Sequence, residues 1–288
     1  MTDIRQTPEY ANYLKLLGWE TFKIKNGASR LTRQVFVKKF PLIGSIIKIQ
    51  RISPPIPFNE IEKIAKDNRA FQILIDQEID NYKSRITNYE SYNYKINQAS
   101  YFPAKTIHID LKRSENEIFN SFSEAKRRAV RRAEKNGLVV KETGDYQEFL
   151  WLKKRSLWEK PVIPIAAGQE ITNLFRAFYP KNAKILIASH QEKPVAGIFM
   201  LHSNEVAYYW LAAATNLGKK LFAPTLLVWE ALKLAKKLNC EIFDFEGVYD
   251  ERYPLKSWLG FTKFKEGFGG KEITYPPSLI KIKIPFLG

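Results

Sequence analysis

The apolar positions of this chain recur with two periods, and the switches between them mark its elements. In PEYANYLKLLGW, Tyr10, Tyr13, Leu14 and Leu17 share one face at i, i+3, i+4 spacing, which predicts a short amphipathic helix. RQVFVKKF and GSIIKIQRI read as strands, PFNEIEKIAKDN as a helix, and FQILID and KTIHIDL as further strands. This is a compact α/β layout over residues 1–112, which we expect to form a first domain.

A second unit opens at SENEIFNSFSEAKRRAVRRAEKNGLVV. Ser114 with Glu117 three residues later predicts a capping box, and Gly137 predicts the helix stop. At about 100° per residue, Arg127, Arg128, Arg131, Arg132 and Lys135 fall on one arc. Ile118, Phe122, Ala125, Ala129 and Ala133 fall on the other, so one face is expected to pack and the other to present a cationic stripe. KILIASH, PVAGIFML and EVAYYWLAAAT follow as three consecutive strands. PTLLVWEALKLAKKLN is a helix with Pro224 at a favoured first position, and EIFDFEGV is a strand. A strand meander, a helix and further strands predict an N-acetyltransferase-like core over residues 113–270. The fold class expected for the whole chain is α/β (α+β), with two tandem GNAT-like domains, each a mixed central sheet flanked by helices. The apolar tail 271–288 is expected to return to the first domain as a strand. KFKEGFGG (263–270) mixes strand and turn signals, with Lys265 set among aromatics and followed by paired glycines.

Composition narrows the partners. The 288 residues carry a net charge of +16, which favours polyanions: nucleic acid, anionic headgroups or phosphorylated substrates. One cysteine, Cys240, excludes an internal disulfide and a multi-thiolate zinc site. His108, His190 and His202 have no metal-ligand spacing, so no metal is expected. MTDIRQTPEY has no apolar core for a signal peptide, and no apolar run reaches the ~20 residues of a bilayer span. A cytoplasmic protein, at most peripheral to a membrane, is expected.

A coenzyme A-dependent enzyme of this fold needs a glycine-rich loop whose N–H groups converge on the pyrophosphate. The slot here is NLGKKLFAPT, where Gly218 is present but Lys219 to Phe222 crowd the rest. No coenzyme A cradle is expected.

Several of these segments, in this order, resemble the FemABX family of peptidoglycan interpeptide-bridge aminoacyltransferases. They are QTPEYANYLKLLGW, IIKIQRISPP, FQILIDQE, the long helical signature from Lys105 to Val140, VAYYWLAAAT, FDFEGV and FKEGFGG. The resemblance covers nearly the whole chain. It implies transfer of an amino acid from an aminoacyl-tRNA co-substrate to the stem-peptide amine of a nucleotide-linked or lipid-linked peptidoglycan precursor. No other cofactor is implied. By similarity, Lys265 is the cation beside the reacting ester, Phe264 packs beneath the donor's terminal nucleotide, and Asp76 lies near the acceptor amine. Lys15 and Arg51 match positions facing the acceptor's phosphates, Tyr208 and Tyr209 the second-domain cleft, and Lys160 stands nearest to an arginine of the family. The stripe of Arg127, Arg128, Arg131 and Arg132 is the candidate tRNA surface. Glu246-Gly247 replaces the family's usual Gly-Gly pair, and no long helical-arm insertion is present. A monomer is expected, with at most a peripheral contact with the anionic inner membrane surface. Two other readings remain open: a GNAT-fold acyltransferase acting on a polysaccharide or protein with a CoA- or carrier-linked donor, and a non-catalytic nucleic-acid-binding protein using the cationic stripe.

Overall fold

The computed structural model describes residues 2–25, 32–78, 88–99, 103–158 and 167–283. In chain order the elements are α1 (Pro8–Leu16), β1 (Glu20–Lys25), β2 (Thr32–Phe40), β3 (Gly44–Ile52), α2 (Phe58–Asp67), β4 (Ala70–Gln77) and β5 (Lys95–Ile96). They continue with β6 (Lys105–Asp110), α3 (Glu115–Ser121), α4 (Glu124–Lys135), β7 (Leu138–Thr143), α5 (Tyr146–Trp158), α6 (Ala167–Phe178), β8 (Ala183–His190), β9 (Lys193–Ser203) and β10 (Val206–Ala214). The remainder are α7 (Asn216–Lys220), α8 (Ala223–Lys237), β11 (Ile242–Asp244), α9 (Leu259–Glu266), β12 (Lys271–Thr274) and β13 (Leu279–Ile282).

Two compact units result. The N-terminal unit holds Thr2–Ala104, Glu251–Tyr253 and the chain from Thr274 onward; the C-terminal unit holds Lys105–Asp250 and Pro254–Ile273. The boundary therefore falls before β6, not after it at residue 112. KTIHID is an ordinary strand by pattern, and only its antiparallel pairing with β11 (Phe243 opposite Ile109) assigns it to the second sheet. Such a pairing across more than a hundred residues leaves no local trace in the sequence.

In the N-terminal unit the described strands form a mixed sheet in the order β1-β2-β3-β4-β13-β5. The parallel pair is β3 with β4, and β13 is antiparallel to both β4 and β5. Alternate positions (Val35, Val37, Ile47, Ile49, Ile73, Ile75) are buried with Phe58, Ile61 and Ala65 of α2 in one core. The period-2 strands and the period-3.6 helix thus share a single apolar layer.

In the C-terminal unit the described strands run β12-β6-β11-β10-β9-β8-β7, with β10 and β11 parallel. α8 packs its buried stripe of Leu227, Val228, Ala231, Leu232 and Ala235 onto this sheet, with Val130 and Ala133 of α4 in the same core. The predicted capping box is present: Glu117 N–H donates to Ser114 Oγ at 3.2 Å and Ser114 N–H to Glu117 Oε2 at 2.8 Å. The helix it opens is interrupted, however. α3 ends at Ser121, Phe122 turns to an extended conformation, and Ser123 caps α4, its N–H donating to Gly267 O at 2.8 Å. That break resets the helical phase, so Ala125 is exposed and Val130 takes its place in the core.

Candidate active site in the C-terminal unit

KFKEGFGG is the end of a helix. Lys265 lies in the last turn of α9, and its side chain runs inward, leaving the residue 7% exposed. Its ammonium donates to Phe245 O at 2.7 Å and Gly247 O at 2.6 Å. The Phe261 and Tyr209 rings lie 4.9 and 5.7 Å from the nitrogen. Burial lowers the Lys265 pKa from 10.5 to about 8, against the opposing pull of Glu246 and Asp244.

The carbonyls that hold Lys265 belong to an irregular segment after β11. Asp244 anchors it: buried, it accepts from Thr106 Oγ1 at 2.5 Å and Glu246 N–H at 2.7 Å, and contacts His108 Nε2 at 3.2 Å. Burial alone would raise the Asp244 pKa, but His108 and these donors hold it below the ordinary value. Glu246 adopts φ 60 and Gly247 φ 115. The Glu246 backbone is therefore in the left-handed region, where the Gly that the family resemblance leads one to expect would be unstrained.

The paired glycines answer to neighbouring backbone, not to the lysine. A Cβ on Gly269 would approach Ser121 O to 2.8 Å, and one on Gly270 would approach His108 O to 2.5 Å; both have positive φ. They let the chain leave α9 pressed against α3 and β6.

Beside this arrangement is a cavity of about 490 Å³. One wall is small-residue strand surface (Gly197, Ala212, Ala213, Ala214), the other aromatic (Tyr209, Phe222, Phe264), with Lys219 and Thr225 supplying polar groups. Tyr209 reaches it because β10 carries a bulge between Tyr208 and Leu211. Such bulges re-aim side chains. Burial raises the Tyr209 pKa above its ordinary value, so its hydroxyl stays protonated. Tyr208, next along, is 2% exposed and does not line the cavity.

Phe264 also carries a cation that sequence reasoning missed. Lys126 Nζ sits 3.6 Å from its ring centroid and 4.7 Å from that of Phe268, and burial lowers the Lys126 pKa to about 8. A signal was present: Lys126 falls at i+4 from Phe122 and i−4 from Val130, a lone lysine on an apolar stripe. Within the expected cationic stripe, Arg127 is half-buried and donates to Asn120 O at 2.9 Å and also to Phe122 O, bracing the α3–α4 break. Arg128 pairs with Glu124 at 3.3 Å. Arg131 and Arg132 are exposed, their guanidinium carbons 5.9 Å from the Phe119 and Phe222 rings. Arg132 thus adjoins a cavity-lining residue.

The coenzyme A slot is helical. Asn216–Lys220 forms α7, and Gly218 packs so closely on β9 that a Cβ would lie 2.3 Å from Val195 O. At the start of α8, Pro224 has no N–H, and the N–H groups of Thr225 and Leu226 donate to Phe222 O at 3.0 and 3.3 Å. Those two donors are thus turned back toward Phe222 O.

In the N-terminal unit, Arg51 and Asp76 meet. Arg51 occupies a bulge in β3, with φ 53. Its guanidinium lies 3.5 Å from the Asp76 carboxylate, donates to Pro103 O at 2.7 Å and stacks 3.2 Å from the Tyr275 ring centroid. Both residues are buried, at 4% exposure each. Burial raises the Asp76 pKa, with Arg51 opposing it. Lys15 is exposed on α1. Lys160 lies outside the described residues.

The class to which this geometry belongs is a tandem of GNAT-like units, the acyltransferase-type fold. Residues 120–254 match the family model described as an acetyltransferase (GNAT) domain. No curated protein matches the chain by sequence. Among solved structures the fold is shared with FemX, at a TM-score of 0.81 and 17% identity over 97% of this chain and 92% of that one. It is also shared with L-PGS from Bacillus licheniformis, at a TM-score of 0.59 and 15% identity over 96% and 88%. A third is the C-terminal (DUF2156) domain of a protein from Agrobacterium fabrum described as a lysylphosphatidylglycerol synthetase, at 0.60 and 10% identity over 97% and 88%. No described helix is long and apolar enough to cross a membrane.

Proposed function

We propose that this chain is an aminoacyltransferase that moves an amino acid from aminoacyl-tRNA to the stem-peptide amine of a peptidoglycan precursor, nucleotide-linked or lipid-linked. The observation that carries the reading is Lys265: a buried ammonium, held by two carbonyls rather than a carboxylate, beside a cavity walled by Tyr209 and Phe264. Sharing a fold with FemX is consistent with it, and so is the exposed Arg132 beside the Phe222 ring.

In the reaction, the acceptor nitrogen attacks the ester carbonyl of the donor. A C–N bond forms, the C–O bond to the terminal ribose breaks, and the ribose hydroxyl leaves with a proton. The ester is already activated, so the protein's contribution is to orient the two groups and stabilise the oxyanion. Lys265 in its protonated form supplies the stabilising charge in a site of low dielectric, with Tyr209 as a neighbouring neutral donor. Phe264 offers a flat face for the donor's terminal base. Arg128, Arg131 and Arg132 meet the phosphates of the acceptor stem, with Arg127 positioning that surface. In the N-terminal unit the Arg51–Asp76 pair and Lys15 serve the acceptor. This step needs no cofactor besides the aminoacyl-tRNA.

The test is transfer of a labelled amino acid from charged tRNA to a muropeptide precursor. The expected result is turnover abolished by ribonuclease and lowered about 10²–10³-fold by Lys265→Ala, the usual cost of one oxyanion-stabilising group. Ribonuclease-insensitive turnover with an acyl-CoA would instead support the coenzyme-linked reading.

A further inference from the structure

Away from this cavity, the N-terminal unit exposes an apolar tip that its fold does not require. The hairpin between β2 and β3 ends in Phe40-Pro41-Leu42-Ile43, where Leu42 is 91% exposed and Ile43 52%. Leu42 also has φ 66. Folding alone favours Gly or Asn at such a turn position, since a leucine there adds both strain and exposed apolar surface. An exposed apolar tip retained against both costs points to a second phase that receives it.

The surroundings identify that phase by charge. The tip is fixed against the turn between α2 and β4: Ser45 N–H donates to Arg69 O at 3.2 Å, and Ser45 Oγ donates to Asn68 O at 2.8 Å. Phe40 and Phe71 rings lie 6.1 Å apart across the same junction. The adjoining groove of about 600 Å³ is lined by Lys63, Lys66, Arg69 and Lys283, against the single carboxylate of Glu62. Glu62 is itself occupied by Lys281 at 2.8 Å and Lys283 at 3.1 Å. Lys63, Lys66 and Arg69 have no acidic partner among the described residues. On the other side of the tip, Lys38 and Lys39 precede Phe40, although Lys39 pairs with Glu20 at 2.9 Å.

We infer that the β2–β3 tip and the Lys63–Lys66–Arg69 groove form a docking surface for an anionic lipid bilayer. Leu42 and Ile43 enter the boundary between headgroups and acyl chains, and the groove takes anionic headgroups. Apolar insertion and headgroup attraction together give peripheral binding where either alone is weak. The inference stands independently of the transfer chemistry, because binding is measured without either substrate.

The probes are vesicles of phosphatidylcholine, with and without phosphatidylglycerol. The protein is expected to sediment with the phosphatidylglycerol vesicles, to stay free of the neutral ones, and to be released by salt. Leu42→Asp with Ile43→Asp is expected to weaken binding at least about tenfold. Lys63→Gln, Lys66→Gln and Arg69→Gln together are expected to weaken it about a hundredfold. All five side chains are exposed, so thermal unfolding should match the parent's and exclude misfolding as the cause. An environment-sensitive label on Leu42→Cys is expected to shift to the blue on anionic vesicles. The same label on Ser91→Cys, near the other end of α2, is expected not to shift, and buried Cys240 does not compete for label. Failure of the parent to bind anionic vesicles would overturn the inference, as would an unshifted label at position 42. So would self-association abolished by Leu42→Asp without vesicle binding, since the tip would then be an interface between copies of this chain.

Discussion

Each unit places a strand bulge beside a buried cation, and the two cations are held in different ways. In β3 of the N-terminal unit the bulge turns Arg51 toward Asp76, a carboxylate 3.5 Å away. In β10 of the C-terminal unit the bulge carries Tyr209 toward Lys265, whose ammonium, among the described residues, donates to the carbonyls of Phe245 and Gly247. A full counter-charge fixes a cation in place. Carbonyl dipoles leave its charge without a directly bonded counter-ion and available to a developing anion. Under the proposed function, the first pair is a fixed element of the acceptor side and the second is the charge that meets the reacting ester.

The largest effect that separates them is on folding. Asp76→Ala leaves Arg51 buried without its counter-ion and is expected to cost about 3–5 kcal/mol in denaturant unfolding. Replacing both members together (Asp76→Leu, Arg51→Met) is expected to recover most of that. A double variant as unstable as the single one would show that the pair itself is not what the burial depends on.

The next effect is on the pH dependence of stability. Lys48, Lys126 and Lys265 have pKa values lowered by burial to about 8 from 10.5. Between these values the unfolded chain binds more protons than the folded one, so stability is expected to rise as pH increases from about 8 to 10.5. Lys265→Met and Lys126→Met are each expected to flatten part of that rise, followed by the unfolding midpoint against pH. Arg51→Met has no such effect in this window. A slope unchanged by either lysine substitution would mean that these ammonium groups are as well solvated as surface ones.

The smallest effect concerns Glu246. Glu246→Gly relieves a left-handed residue and is expected to stabilise the fold by roughly 1 kcal/mol or less. Removing its carboxylate should also lower the Lys265 pKa below about 8, because Glu246 now opposes burial there. Chemical-shift titration of the lysine reads both signs.

Much of this architecture was legible in the sequence, and what was not has identifiable causes. Period-2 and period-3.6 patterns carried β2, β3, α2, β4 and α8, and the Ser114–Glu117 box was readable because capping is local. The α3–α4 break was hidden because the apolar stripe on either side of Phe122 looks continuous, while the turn depends on Ser123 N–H reaching Gly267 O. β6 went to the wrong unit for the same reason: its partner β11 is distant in sequence. Within the site, Lys265 stood out through its aromatic neighbours and the family resemblance, although its helical setting did not. Arg51 and Asp76 were singled out separately, and nothing in either local pattern shows that they pair. Lys126 falls in neither predicted stripe, although it lies at i+4 from Phe122 and against Phe264.

The central claim is that the Lys265 ammonium stabilises the transition state of aminoacyl transfer. The direct measurement is the single-turnover rate of transfer from charged tRNA to a muropeptide precursor, recorded against pH for the parent chain and for Lys265→Met. The account predicts a parent rate that falls as the lysine loses its proton above about pH 8. It also predicts a variant slower by about 10²–10³-fold that lacks this limb. Equal rates in the two proteins, or a parent rate unaffected across that window, would contradict it.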